Sequence, residues 1–342
     1  MRRLARSLGI LLALVAFPLS ILSVTTPVSN VGFIYVVGTV IVVGGMMTAP
    51  SRTEDLRGMT RIGLAILVLA SGIRIATAEH GATISMSRGG DDAPLLDRLL
   101  PEGDVATTSA RAVIFAGILP ANDTRNLVPT LRDSYAKMDA EEGSYPSPIL
   151  RTSLGLQTKT GYDVIEIVSP SPQTHDAVLF LHGYGGNFTL QCWSVARASK
   201  IANATTFCPS TRIWGDWWRG DGPEIVNDMI ERLEARGFDR ILLAGLSNGA
   251  LGASALAPMF KNRFVGLLLI SGAMTGAPPP GVPAIAFEGA RDGMMPPSVV
   301  KNYAEKTGAS YVEIDGTHFL LLEKLDVIAP KMAAFMNARF DR

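Results

Sequence analysis

Three apolar segments crowd the first eighty positions, and from about Tyr145 onward short apolar runs alternate with amphipathic stretches. The apolar segments are Leu8 to Val24, Val31 to Ala49 and Ile62 to Ala78. Crossing the hydrocarbon core of a bilayer takes roughly 20 apolar residues in a helix, with about 17 as the lower limit. The second segment has that length and no charge. The third is interrupted by Arg74, which would have to snorkel to an interface. The first follows Arg2, Arg3 and Arg6, and reads either as a span or as a signal peptide with a basic start and a short apolar core.

The alternating part has strand candidates at Asp163–Val168, Ala177–Leu181, Ala204–Cys208, Arg240–Leu246, Phe264–Ser271, Ala284–Glu288 and Ser310–Ile314. Between them lie helix candidates at Thr189–Lys200, Gly222–Arg236, Asn248–Phe260, Pro297–Thr307 and Phe319–Arg339. Such alternation predicts an α/β fold, a mostly parallel sheet with helices on both faces. Ligands then bind beyond the carboxyl ends of the strands. The stretch from Gly81 to Gly143 is less regular. Ser87 to Asp92 reads as a flexible exit from the membrane, and Ala112 to Leu119 as a short strand or packed helix. Thr124 to Glu142 has helical spacing, with Asn122 or Asp123 available as an N-cap. The organisation that follows is a membrane anchor over 1–80, a linker and packed arm over 81–149, and a catalytic domain over 150–342.

Composition changes this picture in two ways. The chain is 47% hydrophobic and only 18% charged, with the excess near the N-terminus, and its net charge of zero without a basic block argues against a nucleic-acid partner. Orientation follows from the arginines. The N-terminus is basic, Thr25–Asn30 carries no Lys or Arg, and the next loop holds Arg52, Arg57 and Arg61. The positive-inside rule puts the N-terminus and that second loop in the cytoplasm. Three spans, or a cleaved signal followed by two, then deliver everything after His80 to the extracytoplasmic side. Loss of the third span would reverse the result. Cys192 and Cys208 are the only cysteines, with fifteen residues between them. They form either a disulfide, if that side is oxidising, or a pair of buried thiols.

The candidate chemistry starts at Gly245-Leu246-Ser247-Asn248-Gly249, which ends the apolar run Ile241–Ala244 and precedes a helical stretch. A G-x-S-x-G turn between strand and helix lifts a serine hydroxyl out of the sheet. That hydroxyl becomes a nucleophile once a base takes its proton and donors meet the oxyanion. His182-Gly183-Tyr184-Gly185-Gly186 ends another apolar strand, where an oxyanion loop would sit. Asp292 and His318 each follow a strand candidate. With the Glu288–Asp292 segment E-G-A-R-D, Pro296, and Gly316-Thr317-His318, these motifs make residues from about 150 to 342 resemble the α/β-hydrolase superfamily, and within it the compact, lidless esterases and acyl thioesterases.

The resemblance implies Ser247 as nucleophile, His318 as general base and Asp292 as the residue that orients the imidazole. Asp315 is too near His318 in sequence, and Asp326 would face away. The oxyanion donors would be the backbone N–H groups of Asn248 and Tyr184, with Gly185 the alternative to Tyr184. His182 would brace its loop. Trp214, Trp217 and Trp218 would line an acyl pocket, touch a membrane or simply pack. The short connection Gly272–Pro283 leaves no room for a cap and implies an open site, unless the arm or the tryptophan loop covers it. No cofactor is implied, and no cluster has metal-ligand spacing. The expected function is a membrane-anchored serine hydrolase cleaving carboxylic esters or thioesters, on a small-molecule or lipid acyl substrate. Peptidase or acyltransferase activity on the same residues, or a non-catalytic binding module, are the alternatives.

Overall fold

The computed structural model describes residues 29–48, 55–171, 173–260 and 262–341, with a few isolated positions ahead of residue 29. The first apolar segment, Leu8 to Val24, otherwise lies outside the described residues. Helices α1 (Asn30–Thr48) and α2 (Asp55–Thr77) pack as an antiparallel pair. They approach closely because a Cβ on Gly38 would press on Leu67 and one on Gly63 on Val42. Both are long and apolar enough to cross a membrane, and Phe33, Val40, Ile62, Val68 and Leu69 are exposed on their outer faces. Arg74 does not snorkel. It is buried, and its Nη2 donates to the Tyr145 carbonyl at 2.9 Å. Tyr35 likewise donates to the Leu99 carbonyl at 2.9 Å, and the Ser29 N–H to the Asp104 carboxylate at 2.8 Å.

The segment after α2 differs from its sequence reading. Ser87 to Asp92 is no flexible exit but the turn of a hairpin, β1 (Ile84–Arg88) and β2 (Asp91–Asp92). β1 pairs antiparallel with β3 (Asp163–Ile167), Ile84 opposite Ile167 and Arg88 opposite Asp163. Arg88 also donates to the buried Asp163 carboxylate at 2.9 Å. Helices α3 (Glu102–Phe115), α4 (Ala121–Thr124), α5 (Leu127–Glu142) and α6 (Ile149–Ser153) follow. Ala112 to Leu119 is therefore the last turn of α3 and the loop beyond it.

The remaining elements are β4 (Asp176–Leu181), α7 (Thr189–Ile201), β5 (Thr205–Pro209), α8 (Gly222–Ala235), β6 (Arg240–Leu246), α9 (Asn248–Leu256), β7 (Gly266–Ile270), β8 (Ala284–Gly289), α10 (Pro297–Thr307), β9 (Ser310–Ile314), α11 (Leu320–Glu323) and α12 (Leu325–Phe340). They build one nine-stranded sheet in the order β2-β1-β3-β5-β4-β6-β7-β8-β9, parallel from β5 to β9 and antiparallel at the β1–β3 end. Strands buried on both faces alternate between two cores. Val178 and Phe180 of β4 point to the side of α7 and α12, while Ala177, Leu179 and Leu181 point to the side of α8 and α9. The helix expected over Phe319–Arg339 is broken at Lys324 (φ −128°), where Glu323 turns back to accept from the Thr317 N–H at 3.0 Å and hydroxyl at 2.9 Å.

Cys192 of α7 and Cys208 of β5 form a disulfide, with Cα atoms 6.1 Å apart and both residues fully buried. Closing a loop of this length contributes about 3 kcal/mol by restricting the unfolded chain.

Two buried carboxylates fasten the arm. Glu142 accepts from the Thr83 N–H at 2.6 Å and the Thr83 hydroxyl at 2.7 Å, which closes the arm's two ends on each other, and pairs with Lys200 of α7 at 3.6 Å. Glu102 reaches the start of α7, which lacks a side-chain cap of its own, and accepts from the N–H groups of Thr189 (2.8 Å) and Leu190 (3.0 Å). Tyr135 and Ser147 donate to the same carboxylate. Burial raises the Glu102 pKa, against the pull of these donors.

Candidate active site

The turn after β6 sets the nucleophile. Ser247 has φ 54° and ψ −120°, a strained conformation for a residue with a Cβ. Two glycines permit it: a Cβ on Gly245 would collide with the Gly249 backbone, and one on Gly249 with the Leu181 carbonyl of β4. Ser247 is thereby pushed beyond the carboxyl end of the sheet, half-buried, at the start of α9.

Folding brings Ser247, His318 and Asp292 into one row. The Ser247 hydroxyl lies 2.9 Å from His318 Nε2, and His318 Nδ1 lies 2.7 Å from Asp292 Oδ2. A carboxylate only accepts, so Nδ1 carries the proton and Nε2 is left free to take one from the serine. Asp292 is held by the N–H groups of Met294 (2.8 Å) and Met295 (2.7 Å) on its other oxygen. Burial opposes its ionisation, but hydrogen bonds from His318, Glu288 and Met295 outweigh it and keep the carboxyl below its ordinary range. Asp315 is instead exposed and paired with Arg291, and Asp326 is exposed on α12.

Two carboxyls beside this row read in the sequence only as part of a motif and as an N-cap candidate, with no role at the site. Glu288, the last-but-one residue of β8, is fully buried. Burial, reinforced by the Asp292 carboxylate, pushes it up to about 10, which favours its protonated form beside the row. Asp123 caps no helix. It is fully buried and accepts from the backbone N–H of Gly293 (3.1 Å) and of His318 (3.1 Å), bridging the loops that carry the acid and the base. Nothing in its local sequence distinguishes it from a cap, because both donors are more than 160 residues away.

The glycine loop after β4 lies against the nucleophile, with a Cβ on Gly183 falling 3.1 Å from Ser247 Cβ. The Gly185 N–H is taken by the Ile213 carbonyl at 2.8 Å, which removes Gly185 as an oxyanion donor and leaves Tyr184 beside Asn248. His182 is fully buried; its Nδ1 donates to the Gly183 carbonyl (2.8 Å) and its Nε2 accepts from the Thr211 N–H (3.1 Å). Burial lowers its pKa to about 4, so the ring is neutral and braces the loop. Trp217 is core, with Nε1 donating to the His182 carbonyl at 2.9 Å, whereas Trp214 is exposed against Tyr184. His175 bonds the Gly237 carbonyl, far along the chain from the row.

The site is less open than the short 272–283 connection implies, although that connection holds only turns among the described residues. An apolar cavity of about 310 Å³ runs from Ser247, His318 and Tyr184 to the arm, where α3 and α5 form its wall. None of the three tryptophans lines it.

No protein-family model matches the chain, and no curated protein does. Among solved structures, the chain is similar to a lidless α/β serine hydrolase from Xanthomonas campestris (18% identity, TM-score 0.45, 53% of this chain and 91% of that one). It is also similar to a predicted CIB-like hydrolase from Thermoplasma acidophilum (16%, 0.43, 52% and 93%) and to an S-formylglutathione hydrolase from Agrobacterium tumefaciens (12%, 0.43, 55% and 93%). Likenesses this distant say nothing of substrate, and the chemistry rests on the side chains described above.

Proposed function

We propose that the protein is a membrane-anchored serine hydrolase that cleaves carboxylic esters or thioesters. The observation that carries this reading is the Ser247–His318–Asp292 row, with both links at hydrogen-bond distance and the serine strained at the head of a helix. Ser247 attacks the acyl carbonyl while His318 takes its proton and then returns it to the leaving group. The oxyanion falls between the N–H groups of Asn248 and Tyr184. Water, deprotonated by His318, then cleaves the acyl-enzyme. Asp292 holds the ring and stabilises the imidazolium.

The anchor comprises α1 and α2, whose outward faces are apolar and which have few charges over their spans. The catalytic domain faces the extracytoplasmic side, a placement supported by the loop arginines and by the Cys192–Cys208 disulfide. A fluorophosphonate probe tests the chemistry: wild-type protein is labelled and Ser247→Ala is not. A well-folded wild type that takes no label would mark a binding module instead. A reporter fused after Arg342 tests the compartment, and a cytoplasmic signal there would overturn the placement.

A further inference from the structure

We propose that the cavity between Ser247 and the arm is an acyl-chain site, and that the substrate carries an apolar, uncharged acyl group of medium length. This rests on the serine hydrolase reading above and names its substrate class.

The far wall is the face of α3 that presents Val105, Ala106, Ala110 and Val113, closed by Leu127 and Leu131 of α5. Among the described lining residues none is an Asp, Glu, Lys or Arg, so nothing there would repay the desolvation of a charged group; the polar side chains are few, with Ser109, Ser153 and Gln191 among them. Ala106 and Ala110, one helical turn apart, leave the space that larger side chains would fill. At roughly 30 Å³ for a water-sized group, the cavity of about 310 Å³ holds a chain of about eight to ten carbons.

The two half-reactions decide which part of the substrate lies there. The leaving group must depart and water must replace it beside His318, so that side has to open to solvent. The acyl group stays attached to Ser247 through both steps and is served by an apolar site that holds it. The arm walls this cavity on one side, while the 272–283 side carries no cap among the described residues.

The test uses full-length protein in detergent and p-nitrophenyl esters from acetyl to hexadecanoyl. We expect kcat/KM to rise about fourfold per methylene to an optimum at about eight to ten carbons and to fall beyond it. Ala110→Trp should move the optimum to shorter chains and lower the decanoyl-to-acetyl ratio on the order of 100-fold. Leu131→Ala should move it to longer ones, so the proposal does not hang on one variant folding. Presenting octanoyl as a dissolved thioester and within phosphatidylcholine vesicles separates a soluble donor from a bilayer one, and cleavage of either upholds the site. Hydrolysis of the acetyl ester with a flat profile would overturn the chain site and leave the hydrolase standing. So would a length dependence that follows the alcohol of graded acetate esters. Failure to cleave any ester or to take the fluorophosphonate label would bring down both.

Discussion

The sheet and the arm share an apolar core but differ in how much of their attachment is polar. β4 buries all six of its residues, and its neighbours in the sheet do nearly the same, so the catalytic half is a layered apolar core. Of the sixteen residues of α5, by contrast, only five are buried, and one of those is Glu142. Beside the apolar contacts that Ile84, Met86, Ala106, Tyr135 and Met138 make with the core, the arm attaches through buried carboxylates: Glu102 on the start of α7, Asp123 on the loops of Asp292 and His318, and Glu142, which gathers Thr83 and Lys200 of α7. Apolar layers are tolerant of exchange, whereas a buried carboxylate with several donors is specific in geometry and costly to lose.

The largest expected effect isolates the catalytic half. Ser247→Ala should lower kcat on an acetyl ester at least about 10⁴-fold without moving the thermal midpoint; a residual rate near wild type would remove the row from the chemistry. Next, Glu102→Ala should cost about 3 kcal/mol in urea denaturation, since four donors lose their acceptor. A loss under about 1 kcal/mol would mean that the arm is held by apolar contact after all. Asp123→Ala should lower kcat about 100-fold through misplacement of acid and base, with KM nearly unchanged and Asn restoring most of the rate because it keeps an acceptor. Equal losses for Ala and Asn would contradict that account.

The smallest effect is a pH dependence within the arm's base. Burial, with the neighbouring Asp163, pushes Asp97 up to about 8, well above its ordinary value of 3.8. Between those values the folded protein keeps a proton that the unfolded chain releases, so stability falls as pH rises through the window. Asp97→Asn should therefore stabilise the protein by about 1–3 kcal/mol near pH 8 and by progressively less toward pH 4. A gain that does not vary with pH would point to packing instead.

The same contrast governs what the sequence revealed. β6 and its elbow were legible because the residues that make the turn, Gly245 to Gly249, are contiguous and their chemistry is local. The seven strands of the catalytic half fell within two residues of their expected ends for the same reason. The arm was not legible in this way. Ile84–Arg88 is a strand only because β3 offers it an edge, and the adjacent Gly89-Gly90 pair reads as a loop. Asp123 is indistinguishable from a cap until Gly293 and His318 are brought to it. Pro101 and the acidic Glu102 and Asp104 did carry a helix-start signal for α3 that the apolar run at Ala112–Leu119 obscured. The Cys192–Cys208 spacing left distance open, and only the packing of α7 on β5 brings the two together.

The hydrogen bond from Arg74 to the Tyr145 carbonyl, with those of Tyr35 and Ser29, means that the domain is no balloon on a string. A flexible leash would let the mouth of the cavity sweep a volume and sample targets at many heights. If α1 and α2 enter a bilayer as proposed, the domain, bolted at three points, keeps a fixed elevation and heading above it, so the reacting group of a target has to be delivered to that one spot.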